Sequence, residues 1–216
     1  GISSDVEVRV DWVDAEKVEE VGAAALLAPY DGILVPGGFG ERGFEGKIQA
    51  VQYARQHDVP FLGLCLGLQS AVVEFARYEA GLTGATSAEF DPSAPHPVIA
   101  LMDGQRGLSD KGGTMRLGSY DACLREGSRA RACYGKDRVA ERHRHRYEVN
   151  NQYRRQLESA GLVFSGLSPD GELVEMIEIP THPWFMATQA HPELKSQPLT
   201  PHPLSLIHIS EPTRPY

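Results

Sequence analysis

Cys65 lies in Gly63-Leu64-Cys65-Leu66-Gly67, a nucleophilic side chain flanked at two residues on either side by glycine. An apolar run at 60–64 precedes it and an amphipathic run at 66–78 follows. That is the strand, sharp turn and helix a nucleophile elbow requires. The glycines remove Cβ atoms that so tight a turn would bring into collision. The sulfur would project at a helix N-terminus, where backbone N–H groups and the helix dipole favour the thiolate, the reactive form. The competing reading is a buried structural cysteine, a common fate for this residue type. The elbow context favours the nucleophile.

A thiolate that attacks an amide needs a proton carrier and a group to orient that carrier. His191-Pro192-Glu193 supplies both at the end of an apolar run. In an extended segment, residues two apart project to the same side, and Pro192 keeps His191 out of the helical region. Glu193 can then accept from one imidazole nitrogen while the other faces the sulfur. Taken alone, the tripeptide is equally a surface His beside a solvated Glu. The oxyanion needs fixed donors. Leu66 N–H, next after the nucleophile, is one, and the glycine loop Gly37-Gly38-Phe39-Gly40 offers another. The GxxxxGK[ST] pattern of a phosphate loop is absent, and the loop could be only a flexible connection. Arg142-His143-Arg144-His145-Arg146-Tyr147-Glu148 is open to several readings: a solvated basic face, a nucleic-acid contact, a poor metal site, or an Arg for a substrate carboxylate.

These residues must be held by a chain of 216 residues, long enough for one domain with a sizeable core. Its net charge of −8 argues against a broad nucleic-acid or membrane surface, and no aromatic platform accompanies the basic run. Cys65, Cys123 and Cys133 make no disulfide framework and no CxxC zinc pair, so a reducing, cytoplasmic compartment is expected. No apolar run reaches the roughly 18 residues of a membrane span. The N-terminus lacks signal-peptide features and an initiator Met, and the chain is read as a fragment.

Periodicity supplies the elements. Val6, Val8, Val10 and Trp12 alternate as in a half-buried strand. A helix is expected over 15–27, stopping at Pro29. Short apolar strands are expected at 33–35 and 60–64, with helices at 46–57 and 66–78. Residues 83–97 read as loop. Short strands follow at 98–101, 114–117 and 122–124, then an Asn-capped helix at 151–160 and strands at 162–165, 173–179 and 185–190. The pattern is an α/β domain: a largely parallel sheet flanked by helices, with a small antiparallel annex. Residues 1–204 form the expected domain. Residues 205–216 have no period and resemble translated sequencing-adapter read-through, so they are set aside as a non-native or disordered tail.

Together these segments, with Gly112-Gly113-Thr114-Met115-Arg116-Leu117-Gly118, resemble the class I glutamine amidotransferases, and within them the glutaminase domains of the CTP synthase family. The resemblance implies a flavodoxin-like fold and hydrolysis of L-glutamine by a Cys65–His191–Glu193 triad. It implies oxyanion donors at Gly38 and Leu66, and glutamine binding by Gly38, Leu66, Gly67, Leu68, Gln69, Glu89 and Arg146. Arg146 would hold the α-carboxylate and Glu89 the α-amino group. The loop 40–46 is similar to a lid that responds to GTP, an allosteric activator. No metal or cofactor is implied in this domain. ATP, Mg²⁺ and UTP belong to an amidoligase domain absent here, and a complete enzyme is expected to be a homotetramer. The same resemblance implies truncation at both ends, and with it low stability of the isolated chain. Alternatives from other classes are another cysteine amidohydrolase, such as a γ-glutamyl hydrolase, and a non-catalytic assembly or regulatory module.

Overall fold

Three short apolar runs, β1 (Ile33–Val35), β2 (Phe61–Leu64) and β10 (Phe185–Thr188), lie side by side and parallel in the computed structural model, with β2 in the middle. The structure describes residues 5–101 and 115–205. Every residue of β2 and β10 is buried, as strands covered on both faces must be. The sheet continues from β10 through β9 (Val174–Glu178), β8 (Val163–Leu167), β5 (Arg116–Leu124) and β6 (Arg138–His145), giving seven strands in the order β1-β2-β10-β9-β8-β5-β6. From β10 onward all neighbours are antiparallel. Of the middle strands expected to form an antiparallel annex, those at 114–124 extend the main sheet, whereas the one at 98–101 lies in a second, smaller sheet. A separate small sheet joins β3 (Ala85–Ser87), β4 (His96–Ala100) and β7 (Glu148–Val149).

Strand alternation splits the core between two faces. Phe185 and Ala187 enter the larger core with Phe61, Ile177 and the helices α3 (Phe44–Gln56) and α4 (Leu66–Tyr78). Met186 points the other way, into a smaller core with Met176, Trp184, Ala130 and Leu204. Phe61 and Phe185 stack across β2 and β10 with ring centroids 4.6 Å apart. Helix α4 has the bounds its periodicity predicts, and residues 66–76 are all buried.

The departures have local causes. The helix expected over 15–27 is two, α1 (Ala15–Val21) and α2 (Ala23–Leu27), because Gly22 breaks it at φ 95°. The alternating segment at 6–12 joins no strand, and Trp12 is 90% exposed. Alternation marks a strand only where a partner completes the hydrogen-bond ladder. The loop-like stretch 83–97 contains β3 and the start of β4, and the two short strands expected at 114–117 and 122–124 are one, β5. Several elements were not expected, among them β7 and a short 3-10 turn at Pro192–Leu194. Helix α5 (Arg129–Tyr134) is capped by Ser128 and by the Glu178 carboxylate, which accepts from the N–H groups of Arg129 and Ala130. Strand β6 lies under the basic run. Helix α6 (Asn151–Ser159) has the expected cap: the Asn150 side chain accepts from Gln152 N–H. Gly112, Gly113, Thr114 and the tail from 206 onward lie outside the described residues.

Candidate active site

Cys65 joins β2 to α4 with φ 50° and ψ −101°, a positive φ that costs a non-glycine residue energy and clusters at functional sites. Close packing enforces it. A Cβ on Gly63 would come within 2.8 Å of Gly67 backbone, and one on Gly67 within 2.1 Å of the Val35 carbonyl oxygen. The two glycines thus let helix α4 press onto β2 and β1, and the chain must turn sharply at Cys65. Cys65 N–H donates to Thr188 O at 2.8 Å, tying the elbow to the end of β10.

The second half of the site follows β10. His191 N–H donates to Arg142 O on β6 at 2.8 Å, and the His191 ring Nδ1 meets Glu193 Oε1 at 2.6 Å. That pairing places the ring proton on Nδ1. His191 Nε2 is left buried with no partner, its lone pair open to accept a proton. Gly37 fixes where the ring lies: a Cβ there would be 2.8 Å from His191 Cε1 and 3.4 Å from Cys65 Cβ. Imidazole and cysteine therefore converge on one glycine at the end of β1. Gly38 lies against the Leu66 side chain, whose Cδ2 would be 3.3 Å from a Cβ on Gly38, so the two residues expected to supply the oxyanion donors are neighbours.

The electrostatics sharpen one expectation and overturn another. Burial pushes the Cys65 thiol up to about 12, against the Leu66 N–H and the Gln189 amide that pull it down; the carboxylates of Glu193 and Glu148 add to the rise. The helix N-terminus favours the thiolate, as expected, but desolvation outweighs it. Burial of the sulfur therefore opposes the charge that the helix N-terminus favours.

The expected substrate residues divide into two groups. Burial raises the Glu89 carboxyl and the nearby Arg146 charge lowers it. A half-buried carboxylate and a half-buried guanidinium are thus near enough for their charges to interact, although 57 positions separate them. Leu66, Gly67, Leu68 and Gln69 form the buried first turn of α4. The Gln69 side chain is used internally: its Nε2 donates to Tyr147 O at 3.0 Å and to Gln189 Oε1 at 3.3 Å.

The basic run resolves as strand β6, in which Arg138, Arg142 and Arg144 are exposed while Glu141, His143 and His145 are buried. His143 Nε2 meets Glu175 Oε2 at 2.6 Å, and His145 Nε2 meets Glu148 Oε1 at 2.7 Å. Arg116 bridges both carboxylates, at 2.7 Å to Glu175 and 3.1 Å to Glu148. The histidines belong to a buried ion network. Among the described residues no group of three or more His, Cys, Asp or Glu could hold a metal ion, and no helix is long and apolar enough to cross a membrane. Sequence reasoning missed Gln189, whose Nε2 donates to Cys65 Sγ at 3.7 Å. Its one signal in the sequence was its place two residues before His191, just past the end of β10.

An elbow cysteine, a Glu-oriented histidine and a glycine loop on a mixed α/β sheet match one family. The profile described as Glutamine amidotransferase class-I covers residues 1–209, and the chain belongs to that family. Within it, the chain groups with the glutaminase domains of CTP synthases. It is 60% identical over 204 residues to the CTP synthase of Caldanaerobacter subterraneus subsp. tengcongensis and 56% identical over 204 residues to that of Geobacillus kaustophilus. Each alignment covers 94% of this chain and 38% of the relative, so the chain spans little more than a third of the curated relatives it matches. A solved Trypanosoma brucei CTPS glutaminase domain with bound acivicin superposes with a TM-score of 0.91 at 38% identity, covering 97% of this chain and 82% of that one.

Proposed function

We propose that this chain hydrolyses L-glutamine through Cys65, His191 and Glu193, and that in a longer protein the ammonia released serves CTP synthesis. The observation that carries the reading is the convergence on Gly37: a buried cysteine on a strained elbow faces an imidazole whose Nδ1 is held by Glu193 and whose Nε2 has no partner.

On this reading Glu89 holds the α-amino group of glutamine and Arg146 its α-carboxylate. The side-chain amide reaches Cys65. The S–H proton passes to His191 Nε2 as sulfur bonds to the amide carbon. N–H groups of Leu66 and Gly38 receive the oxyanion. His191 then protonates the departing nitrogen, ammonia leaves, and a glutamyl thioester remains. Water, deprotonated by His191, attacks the thioester and releases glutamate and the thiol. Glu193 keeps the imidazole in the Nδ1–H tautomer throughout and stabilises the imidazolium.

ATP, Mg²⁺ and UTP belong, on this reading, to the part of the relatives that this chain does not span. GTP acts on the loop at 40–46, and the complete enzyme is a cytoplasmic homotetramer. The test is an electrophilic glutamine analogue, with the adduct mapped by mass spectrometry. The expected result is labelling at Cys65 that is lost in Arg146→Ala. Equal labelling of Cys123 and Cys133 would overturn the assignment. Turnover of γ-glutamyl peptides in preference to free glutamine would overturn the substrate.

A further inference from the structure

Gln189 is wholly buried and held on all sides. Its backbone N–H donates to Glu175 O at 2.8 Å, and the preceding carbonyl, Thr188 O, accepts from Cys65 N–H at 2.8 Å. The backbone is therefore fixed to both the sheet and the elbow. The side chain bridges the nucleophile and Gln69.

The direction of that bridge is set by a group that cannot change role. Tyr147 O is a backbone carbonyl and can only accept. It accepts from Gln69 Nε2, so the amino end of the Gln69 amide faces both Tyr147 O and Gln189. Gln189 must then present its oxygen to Gln69, which leaves its own amino group on the sulfur. Reversing either amide would set two acceptors or two donors face to face inside the core. The chain Tyr147 O, Gln69, Gln189, Cys65 Sγ therefore delivers a donor to the sulfur, and a donor binds a thiolate more strongly than a thiol.

We propose that Gln189 is a further catalytic residue of the glutaminase reaction, its amide N–H stabilising the Cys65 thiolate, with Gln69 as the positioning residue that orients it. The inference rests on Cys65 being the nucleophile. When the S–H bond breaks and the proton passes to His191 Nε2, the sulfur gains the charge that this N–H meets. In the thioester the sulfur carries no charge and the bond weakens. It is restored when the thioester C–S bond breaks and the sulfur departs with the electron pair, so the same contact assists both halves of the reaction. Within the expected glutamine-binding set Gln189 touches only Gln69, through an internal bond between the two side chains, so its own contribution belongs to kcat.

The experiment uses the 216-residue chain and compares wild type, Gln189→Leu, Gln189→Glu and Gln69→Met. First, the electrophilic glutamine analogue is used to establish labelling at Cys65 in wild type. No adduct at Cys65 overturns the nucleophile, and with it this inference, whereas an adduct combined with unchanged alkylation in the variants below overturns the inference alone. Given an adduct, iodoacetamide alkylation of Cys65 is followed from pH 6 to pH 10. The wild-type rate rises across the whole range, because the rate follows the thiolate fraction. Gln189→Leu is expected to lie about tenfold lower at every pH, the effect of losing one hydrogen bond to a charged acceptor. Gln189→Glu keeps the shape but replaces the donor with a carboxyl, and is expected to be slower than Gln189→Leu. A packing role alone would make it the milder change. Gln69→Met leaves Gln189 and the sulfur in place and is expected to slow alkylation about two- to threefold. Glutamine turnover in Gln189→Leu is expected to show kcat about tenfold lower with KM unchanged. Rates equal to wild type in folded Gln189→Leu overturn the proposal. If that variant does not fold, Gln69→Met decides, and an unchanged alkylation profile there overturns it equally.

Discussion

Gly37→Ala separates the site from the fold more cleanly than substitution of any catalytic side chain. The new Cβ would be 2.8 Å from His191 Cε1 and 3.4 Å from Cys65 Cβ. Carbon atoms sit comfortably at about 3.5 Å or more, so one of the two groups must move by roughly 0.7 Å. The elbow cannot yield, because Gly63 and Gly67 are already in contact with backbone and Cys65 N–H is bonded to Thr188 O. The imidazole must swing instead, against its bond to Glu193. Gly37 has no positive φ, so alanine adds no backbone strain of its own. Overpacking at one methyl costs about 1–3 kcal/mol, which in a chain of this size lowers Tm by roughly 2–12 °C. The cost to chemistry is larger in proportion, since misplacing a reacting group by about 1 Å removes about a hundredfold in rate. Glutaminase activity, read as ammonia or glutamate released, is expected to fall between about tenfold and a hundredfold in kcat. Circular dichroism should remain native. Wild-type kcat in a folded Gly37→Ala would refute the claim that this glycine is the wall holding His191 against Cys65.

Two further substitutions test the framework around the site. Gly67→Ala would put a Cβ 2.1 Å from the Val35 carbonyl oxygen, a collision with backbone that no rotamer relieves, so little folded protein is expected; a soluble variant with a native melt would contradict the packing of α4 on β1. Glu175→Gln leaves Arg116 and His143 without their shared carboxylate, and breaking such a buried pair costs about 3 kcal/mol or more, which thermal unfolding at neutral pH will read. Burial alone would raise the Glu175 carboxyl, but hydrogen bonding and charge from His143 and Arg116 outweigh it and hold it below its ordinary value. A depressed carboxylate contributes stability that is present above its unfolded-state value of about 4.3 and is lost as pH falls through the folded value. Wild type should therefore lose stability steeply below about pH 4.3, and Glu175→Gln should show a shallower slope there; identical slopes in urea titrations would show that Glu175 does not carry this dependence.

The sequence by itself determined whatever depends on neighbours along the chain. The elbow, strand β2 and helix α4 follow from one apolar run, two glycines and one amphipathic period, and α4 begins and ends where its period does. The pairing of His191 with Glu193 was expected from alternation in an extended segment; the two side chains do meet, but Pro192–Leu194 is a short 3-10 turn, and that turn brings the carboxylate back to the ring. The family, and through it the expected roles of Glu89 and Arg146, was readable from five short motifs. Tertiary structure decided what depends on groups brought from elsewhere. Alternation at 6–12 looked like a strand but had no ladder partner, whereas the start of the basic run at 142–148 did not look like one and lies in β6, whose inward histidines meet buried carboxylates on β9 and β7. Helix α5 needs Glu178, some fifty positions away, at its N-terminus. The state of Cys65 was the sharpest case. Chain position promises a thiolate at a helix N-terminus, but burial in the folded protein pushes the Cys65 thiol up, because desolvation costs a charge more than a few aligned N–H groups return.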